Sequence, residues 1–142
     1  MNYCIYVIRH QKPHDTLNCV HKDDIYNTEN IAKHFKNLYI GEVYTVRPTG
    51  NEQIVPLQTA SNISSMINLN VTLCNDFTNL PKFVTNNILI VWPHHDIQNI
   101  LHRYNFVGSF YWPDENYNGC LTLNAYGWDW DPLALKKSYS CF

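Results

Sequence analysis

The sequence has no long apolar run, no block of like charges and no pair of cysteines in a CxxC arrangement. A membrane-spanning helix needs about 20 consecutive apolar residues, so we expect no membrane contact. The formal net charge is −2 and no basic cluster is present, which disfavours binding to a nucleic-acid backbone. The five cysteines are an odd number, so neither a disulfide framework nor a zinc ribbon is indicated.

The first residues, MNYCIYVIRH, do not match the charged-then-apolar pattern of a signal peptide. Together with the unpaired cysteine count, this favours a reducing compartment, and we expect the protein to be cytoplasmic. No spacing of histidine and cysteine matches a known metal motif. The sequence therefore suggests neither a metal nor a cofactor.

What is present is typical of one globular domain: 142 residues, 45% of them hydrophobic and 14% aromatic. Apolar runs predict strands at 3–9, 42–46, 70–74, 86–92 and 119–125, and apolar stripes predict helices at 26–38, 56–69 and after His94. Alternating strands and helices indicate an α/β three-layer sandwich with a mainly parallel central sheet flanked by helices. Residues 76–85 are ambiguous, and residues 126–142 show no clear period.

Basic side chains follow two of the apolar strands. Arg9 and His10 follow the first strand, and His94 and His95 follow the strand at 86–92. In such sheets, ligands bind beyond the carboxyl ends of the strands. Arginine offers two parallel N–H donors that suit a phosphate group. If these strands are neighbours, the pattern predicts a phosphate pocket in which His10 and His94 face each other.

Two other interpretations remain open. The chain has seven histidines, so some will lie near strand ends by chance. A metal site is the other candidate for the residues His10, His14, His94, His95 and Asp96, but their spacing matches no zinc pattern.

Three segments resemble the histidine phosphatase superfamily, also called phosphoglycerate mutase-like, and in particular its small bacterial-type members. They are VIRHQKP at 7–13, VWPHHDI at 91–97 and YWPDENY at 111–117. Their order and spacing match those of the family motifs, and the resemblance spans about residues 3–124. It implies a phosphoglycerate mutase-like fold and a small phosphorylated molecule as the ligand.

The resemblance also implies residue roles. His10 matches the nucleophile that becomes phosphorylated, which requires an unprotonated ring nitrogen. Arg9 matches the first phosphate-binding arginine, and His94 matches the second histidine, which holds a phosphoryl oxygen. His95 and Gln11 are expected to lie beside the ligand.

The chain departs from the family at one important position. The family places a second phosphate-binding arginine in an Arg-Pro-x-(Glu/Gln)-Thr segment, whereas this chain has VPLQT, with Val55 in place of the arginine. Valine cannot donate a hydrogen bond to phosphate. Arg47 is the first candidate to replace it and Arg103 the second. Gln11 stands where the family has a small residue, so the loop after His10 is expected to differ.

The sequence offers two candidates for the general acid. Asp76 falls where small relatives often have an acidic residue, but it is equally suited to capping a helix. Asp15 is a weaker candidate. Trp112 and Tyr117 are expected to pack rather than to contact substrate.

These observations support two hypotheses of function. One is a phosphatase that hydrolyses small phosphomonoesters through a phosphohistidine at His10. The other is a catalytically impaired relative that binds a ligand or partner, because Val55 replaces an arginine. We also expect a domain at 1–126 and a tail at 127–142. Its Trp128, Trp130, Leu133 and Leu135 are expected to pack on the domain or to mediate homo-oligomer formation.

Overall fold

The computed structural model of the protein describes residues 2–9, 25–49 and 54–137. Its strands and helices, in chain order, are β1 (Ile5–Ile8), α1 (Ile25–Lys36), β2 (Ile40–Val46), α2 (Ile54–Met66), β3 (Val71–Cys74), β4 (Asn87–Val91), α3 (Ile97–Arg103), β5 (Cys120–Asn124), β6 (Gly127–Asp131) and α4 (Ala134–Lys137). Short 3₁₀ helices lie at Phe77–Asn79 and His94–Asp96. Within these ranges, no helix is long and apolar enough to cross a membrane.

The strands form one sheet in the order β3-β2-β4-β1-β5-β6. The strands β3, β2, β4 and β1 run parallel to one another, whereas β5 and β6 pair in antiparallel fashion. The predicted α/β fold with a mainly parallel sheet is confirmed. Each parallel connection passes through a helix or a longer segment, as parallel pairing requires.

Two apolar cores cover the two faces of this sheet, and alternation along the strands assigns side chains to each. In β1, Val7 belongs to the core shared with α3, whereas Ile8 belongs to the core shared with α1 and α2. Because side chains alternate along a strand, Arg9 is expected on the same face as Val7. That is the face crossed by the segment between α3 and β5.

Two regions that the sequence left open have regular structure. The ambiguous segment at 76–85 contains the 3₁₀ helix Phe77–Asn79. In the tail, Gly127–Asp131 form the sixth strand, with Trp130 opposite Leu121 and Trp128 opposite Leu123. Alternating Trp and Asp in GWDWD is a two-residue period, which the short length of the segment hid.

Gly119 is required by the packing of Trp130. A side-chain carbon added at Gly119 would overlap the Trp130 ring. The ring also lies 4.5 Å from the Trp112 ring, in an edge-to-face arrangement. The tail therefore contributes an aromatic side chain to the core beside α3.

The two leucines of the tail give a matched test of how it packs. Leu135 is 1% exposed and its N–H donates to the Asn118 carbonyl at 2.8 Å, whereas Leu133 is 49% exposed. We expect Leu135→Ala to lower the free energy of unfolding by about 2–5 kcal/mol, because it leaves a cavity. We expect Leu133→Ala to change it by less than about 0.5 kcal/mol. Urea unfolding curves would measure both, and equal effects would contradict a packed tail.

Candidate phosphate site

Arg9 and His94 lie at the same edge of the sheet. The strands β1 and β4 are parallel neighbours with Ile8 opposite Val91, and the Trp92 N–H donates to the Ile8 carbonyl at 3.0 Å. Arg9 follows β1 directly, and His94 begins the 3₁₀ helix that follows β4. Both residues therefore lie beyond the carboxyl ends of adjacent strands, where ligands bind in sheets of this type.

Arg9 is a buried cation, only 4% exposed. Its Nη1 donates to the carbonyl of Asp114 at 2.6 Å and to that of Asn116 at 3.3 Å. Its guanidinium carbon lies 4.0 Å from the centre of the Tyr117 ring, a cation–π distance. Burial lowers the pKa of Arg9, and the nearby Tyr117 and Asp114 partly oppose that shift. The Nε of Arg9 is buried and has no hydrogen-bond partner among the described residues.

His94 contacts the same loop residue through its ring. Its Nε2 lies 3.0 Å from Oδ1 of Asp114, and the His94 side chain is 20% exposed while that of Asp114 is 70% exposed. A carboxylate only accepts hydrogen bonds, so Nε2 is the donor in this pair. The Nδ1 atom is buried and, like Arg9 Nε, has no hydrogen-bond partner in the described part of the chain.

The turn that carries His94 is fixed by its neighbours. The indole Nε1 of Trp92 donates to Oδ2 of Asp96 at 2.8 Å, and the Asp96 N–H donates to the Pro93 carbonyl at 3.1 Å. Trp92 is itself fully buried. The ring of His95 meets that of His94 edge to face, 5.6 Å between centres. The core thus determines where the His94 ring lies.

Asn116 holds the loop that carries Asp114. Its Oδ1 accepts from the N–H groups of Asn118 and Gly119 at 3.0 and 2.7 Å, and its Nδ2 donates to the Pro132 carbonyl at 3.0 Å. Its carbonyl accepts from Nε1 of Trp112 at 2.9 Å. These bonds connect the loop to both the aromatic core and the tail.

Asp114 is the site residue that sequence reasoning missed. It lies in the YWPDENY segment, which the sequence marked only as a family resemblance. Its contacts with Arg9 and His94 span 105 and 20 residues of chain. Nothing in the local pattern around residue 114 indicates such partners.

Three other residues that the sequence singled out have the following local environments, and their roles in the site stay predictions. Arg47 is exposed, and its Nε donates to Oδ1 of Asn75 at 3.1 Å. Val55 is 3% exposed near the beginning of α2. Arg103 donates to the carbonyl of Leu80, at 2.9 Å from Nη2.

His10 and Gln11 lie outside the described residues, as do His14 and Asp15, so their roles stay predictions. Among the residues that the structure does describe, no three His, Cys, Asp or Glu side chains are grouped as a metal site requires.

Asp76 caps the 3₁₀ helix Phe77–Asn79. Its carboxylate accepts hydrogen bonds from the Thr78 hydroxyl and from the Thr78 N–H, the latter at 2.8 Å, and the Asn79 side chain completes a capping box. These bonds lower the pKa of Asp76, with the Thr78 hydroxyl as the largest cause. A lowered pKa keeps the group ionised, whereas a general acid must hold a proton. The structure therefore shows the capping role of Asp76, and the general-acid role stays a prediction.

Solved structures of other proteins share this fold, among them the following three. The first is a proposed phosphohistidine phosphatase, SixA, from Agrobacterium tumefaciens, with a TM-score of 0.55 at 13% identity, covering 92% of this chain and 98% of its own. The second is the protein histidine phosphatase SixA complexed with tungstate, with a TM-score of 0.59 at 9% identity, covering 90% and 94%. The third is a proposed alpha-ribazole-5'-P phosphatase from Escherichia coli K-12, with a TM-score of 0.54 at 13% identity, covering 94% and 96%.

No protein-family model matches the chain, and no curated protein matches it in sequence. The evidence of relationship is therefore one of fold. The chain shares the fold of these three proteins, and the predicted phosphoglycerate mutase-like fold is confirmed.

The capping role of Asp76 predicts a specific pH dependence. Its folded pKa is below the ordinary 3.8, so its contribution to stability is present above that value and is lost as the pH falls through the lowered pKa. We expect Asp76→Asn to be less stable than the wild type at neutral pH. The difference should narrow in strong acid, and phosphate binding should be unchanged. Thermal unfolding of both proteins, from neutral pH to pH values below 3.8, would measure this difference in stability. A loss of hydrolysis without a loss of stability would instead favour a general acid.

The Asp114 carboxylate predicts an effect on anion binding. A negative charge 3.0 Å from His94 repels an anion that approaches the same ring. We expect Asp114→Asn, which keeps an oxygen acceptor for His94, to bind inorganic phosphate several-fold more tightly. The reason is that the substitution removes a repulsion worth about 1 kcal/mol between two like charges about 4 Å apart in water. Calorimetric titration would measure it, and a weaker or unchanged affinity would show that Asp114 does not compete with the anion.

Proposed function

We propose that the protein binds the phosphate group of a small phosphorylated molecule between Arg9 and His94. The observation that carries this proposal is the pair of buried nitrogens, Arg9 Nε and His94 Nδ1, that lack partners among the described residues. Leaving a buried polar group unpaired costs about 1–3 kcal/mol. Phosphoryl oxygens would supply acceptors for Arg9 Nε, and for His94 Nδ1 when the ring is protonated.

The structural neighbours support the same class of ligand. One of them was solved as a complex with tungstate, which like phosphate is a tetrahedral oxyanion. In this chain, the carboxyl ends of β1 and β4 would offer such an anion a place to bind, as strand ends do in sheets of this type.

We further propose that His10 is the nucleophile. A lone pair on its ring nitrogen forms a bond to phosphorus, while the ester P–O bond breaks and the leaving oxygen takes up a proton. Water then attacks the phosphohistidine, releasing inorganic phosphate and restoring the free ring. Arg9 and His94 would stabilise the negative charge on the phosphoryl oxygens during both steps.

A second candidate function is ligand binding with slow or lost turnover, and the position of Val55 favours it. Val55 is buried where the resemblance places an arginine, and Arg47 is bonded to Asn75 instead. Loss of one oriented donor typically lowers a rate by about 10²–10³. We therefore expect phosphate binding to be retained and hydrolysis to be slow.

We place this function in the cytoplasm. The three cysteines within the described ranges, Cys4, Cys74 and Cys120, are free thiols, and burial raises the pKa of Cys120 to about 12. Free thiols of this kind are typical of a reducing compartment. Formation of a homo-oligomer through the tail stays a prediction.

The proposal is tested by binding and by turnover together. We expect inorganic phosphate to bind the wild type in calorimetric titration, and Arg9→Gln to weaken that binding because it removes the cation. His10→Ala should abolish the hydrolysis of a phosphomonoester, whereas Tyr126→Ala, at a fully exposed position, should leave it unchanged. Turnover that survives His10→Ala would remove the phosphohistidine mechanism.

A separate variant tests whether the missing arginine at position 55 makes hydrolysis slow. Val55→Arg should raise the rate by about 10²-fold if the new guanidinium reaches the phosphate. Circular dichroism would verify that the fold survives, because Val55 is buried. Robust wild-type turnover that disappears in Arg47→Ala would show that Arg47 replaces the missing arginine, contrary to our expectation.

A further inference from the structure

A cavity of about 140 Å³ lies directly beside His94. Its polar lining comes from His94, His95, Gln98 and Asp114, of which His94 and Asp114 belong to the candidate phosphate site. Its aromatic lining comes from the three consecutive residues Phe110–Trp112, here called the aromatic wall. The cavity is thus lined both by side chains of the candidate phosphate site and by aromatic rings.

The aromatic wall is held in place by the core. Trp112 is 2% exposed, and its ring meets those of Phe110 and Trp130 edge to face, with centres 6.1 and 4.5 Å apart. Two side-chain bonds of Gln98 hold the backbone: Oε1 accepts from the Phe110 N–H at 2.7 Å, and Nε2 donates to the Gly108 carbonyl at 2.9 Å. Phe110 and Trp112 are therefore held in place by contacts within the protein.

Tyr111 differs from its two neighbours in the wall. It is 74% exposed, although it lines the cavity. An exposed tyrosine beside a fixed apolar cavity can cover a bound ring with its own ring at little cost in packing. It can also be replaced without disturbing the core.

The size and lining of the cavity specify the chemistry of an occupant. A dry cavity of about 150 Å³ is large enough to hold benzene. Aromatic walls prefer a second aromatic ring, in offset or edge-to-face contact, over a saturated group of the same size. His94, which the proposed phosphate would contact, is part of the same lining.

We propose that this cavity is the subsite for an aromatic ring carried by the ligand, so that the protein selects phosphate monoesters of aromatic or arylmethyl alcohols. The inference rests on the proposed function, because it requires the phosphate to lie between Arg9 and His94. It adds the identity of the organic group, which neither the fold nor the motifs specify.

The test compares the binding of two matched esters. Benzyl phosphate and cyclohexylmethyl phosphate have the same number of carbons and the same kind of ester oxygen, but only the first has a planar ring. We expect calorimetric titration of the full chain to show benzyl phosphate binding about 3–10-fold more tightly, the range that an aromatic contact provides. Inorganic phosphate is titrated alongside as a probe without a ring.

Two variants test whether the preference for benzyl phosphate over cyclohexylmethyl phosphate comes from the cavity. Tyr111→Ala and Phe110→Leu should each reduce the preference for benzyl phosphate and leave the affinity for inorganic phosphate unchanged. Tyr126→Ala is the matched control, because this tyrosine is fully exposed and does not line the cavity; it should preserve the preference.

The outcomes separate the two proposals. If inorganic phosphate does not bind, the proposed function fails and the subsite inference fails with it. If phosphate binds but the two esters bind equally, the subsite inference alone is overturned. A preference that both wall variants retain would likewise overturn it.

Discussion

The buried guanidinium of Arg9 connects the sheet to the loop on which the candidate site depends. A cation that is 4% exposed needs acceptors in the protein, since an unpaired buried charge is strongly destabilising. The carbonyls of Asp114 and Asn116 and the Tyr117 ring provide them. Satisfying the charge of Arg9 therefore fixes the backbone that presents the Asp114 carboxylate to His94.

The same arrangement explains why a structural role and a binding role are compatible for Arg9. One terminal nitrogen, Nη1, is occupied by the loop, while Nε keeps its hydrogen without a described acceptor. A guanidinium has five N–H donors in a fixed plane, so some can hold the protein while others face a ligand. The two ring nitrogens of His94 differ in a similar way. Nε2 lies within hydrogen-bond distance of Asp114, whereas Nδ1 has no partner in the described structure.

Much of the fold could be predicted because apolar runs and stripes directly report which side chains are buried. The run 86–92 predicts β4, and Ile97, Ile100 and Leu101 predict α3. The sixth strand was missed because Trp and Asp alternate over only Gly127–Asp131, and its identity depends on pairing with β5.

The candidate site could be predicted only in part. Residues within a few positions of a strand end, such as Arg9 and His94, are placed by the sheet, so their positions follow from the strand pattern. Asp114 belongs to an irregular loop whose path depends on the side-chain bonds of Asn116, and such bonds leave no periodic signal. Asp76 had two physically sensible roles, and the observed bonds to Thr78 show one of them, the cap.

The edge-to-face pair of Trp112 and Trp130 gives this protein an intrinsic optical probe. Two indole rings whose centres are 4.5 Å apart, at an interplanar angle of 66°, are close enough for their electronic transitions to couple. Coupled transitions give a paired circular-dichroism signal of opposite signs, which depends on the mutual orientation of the rings. Since one ring belongs to the loop that ends at β5 and the other to β6, that signal reports the order of the loop relative to the hairpin without any added label.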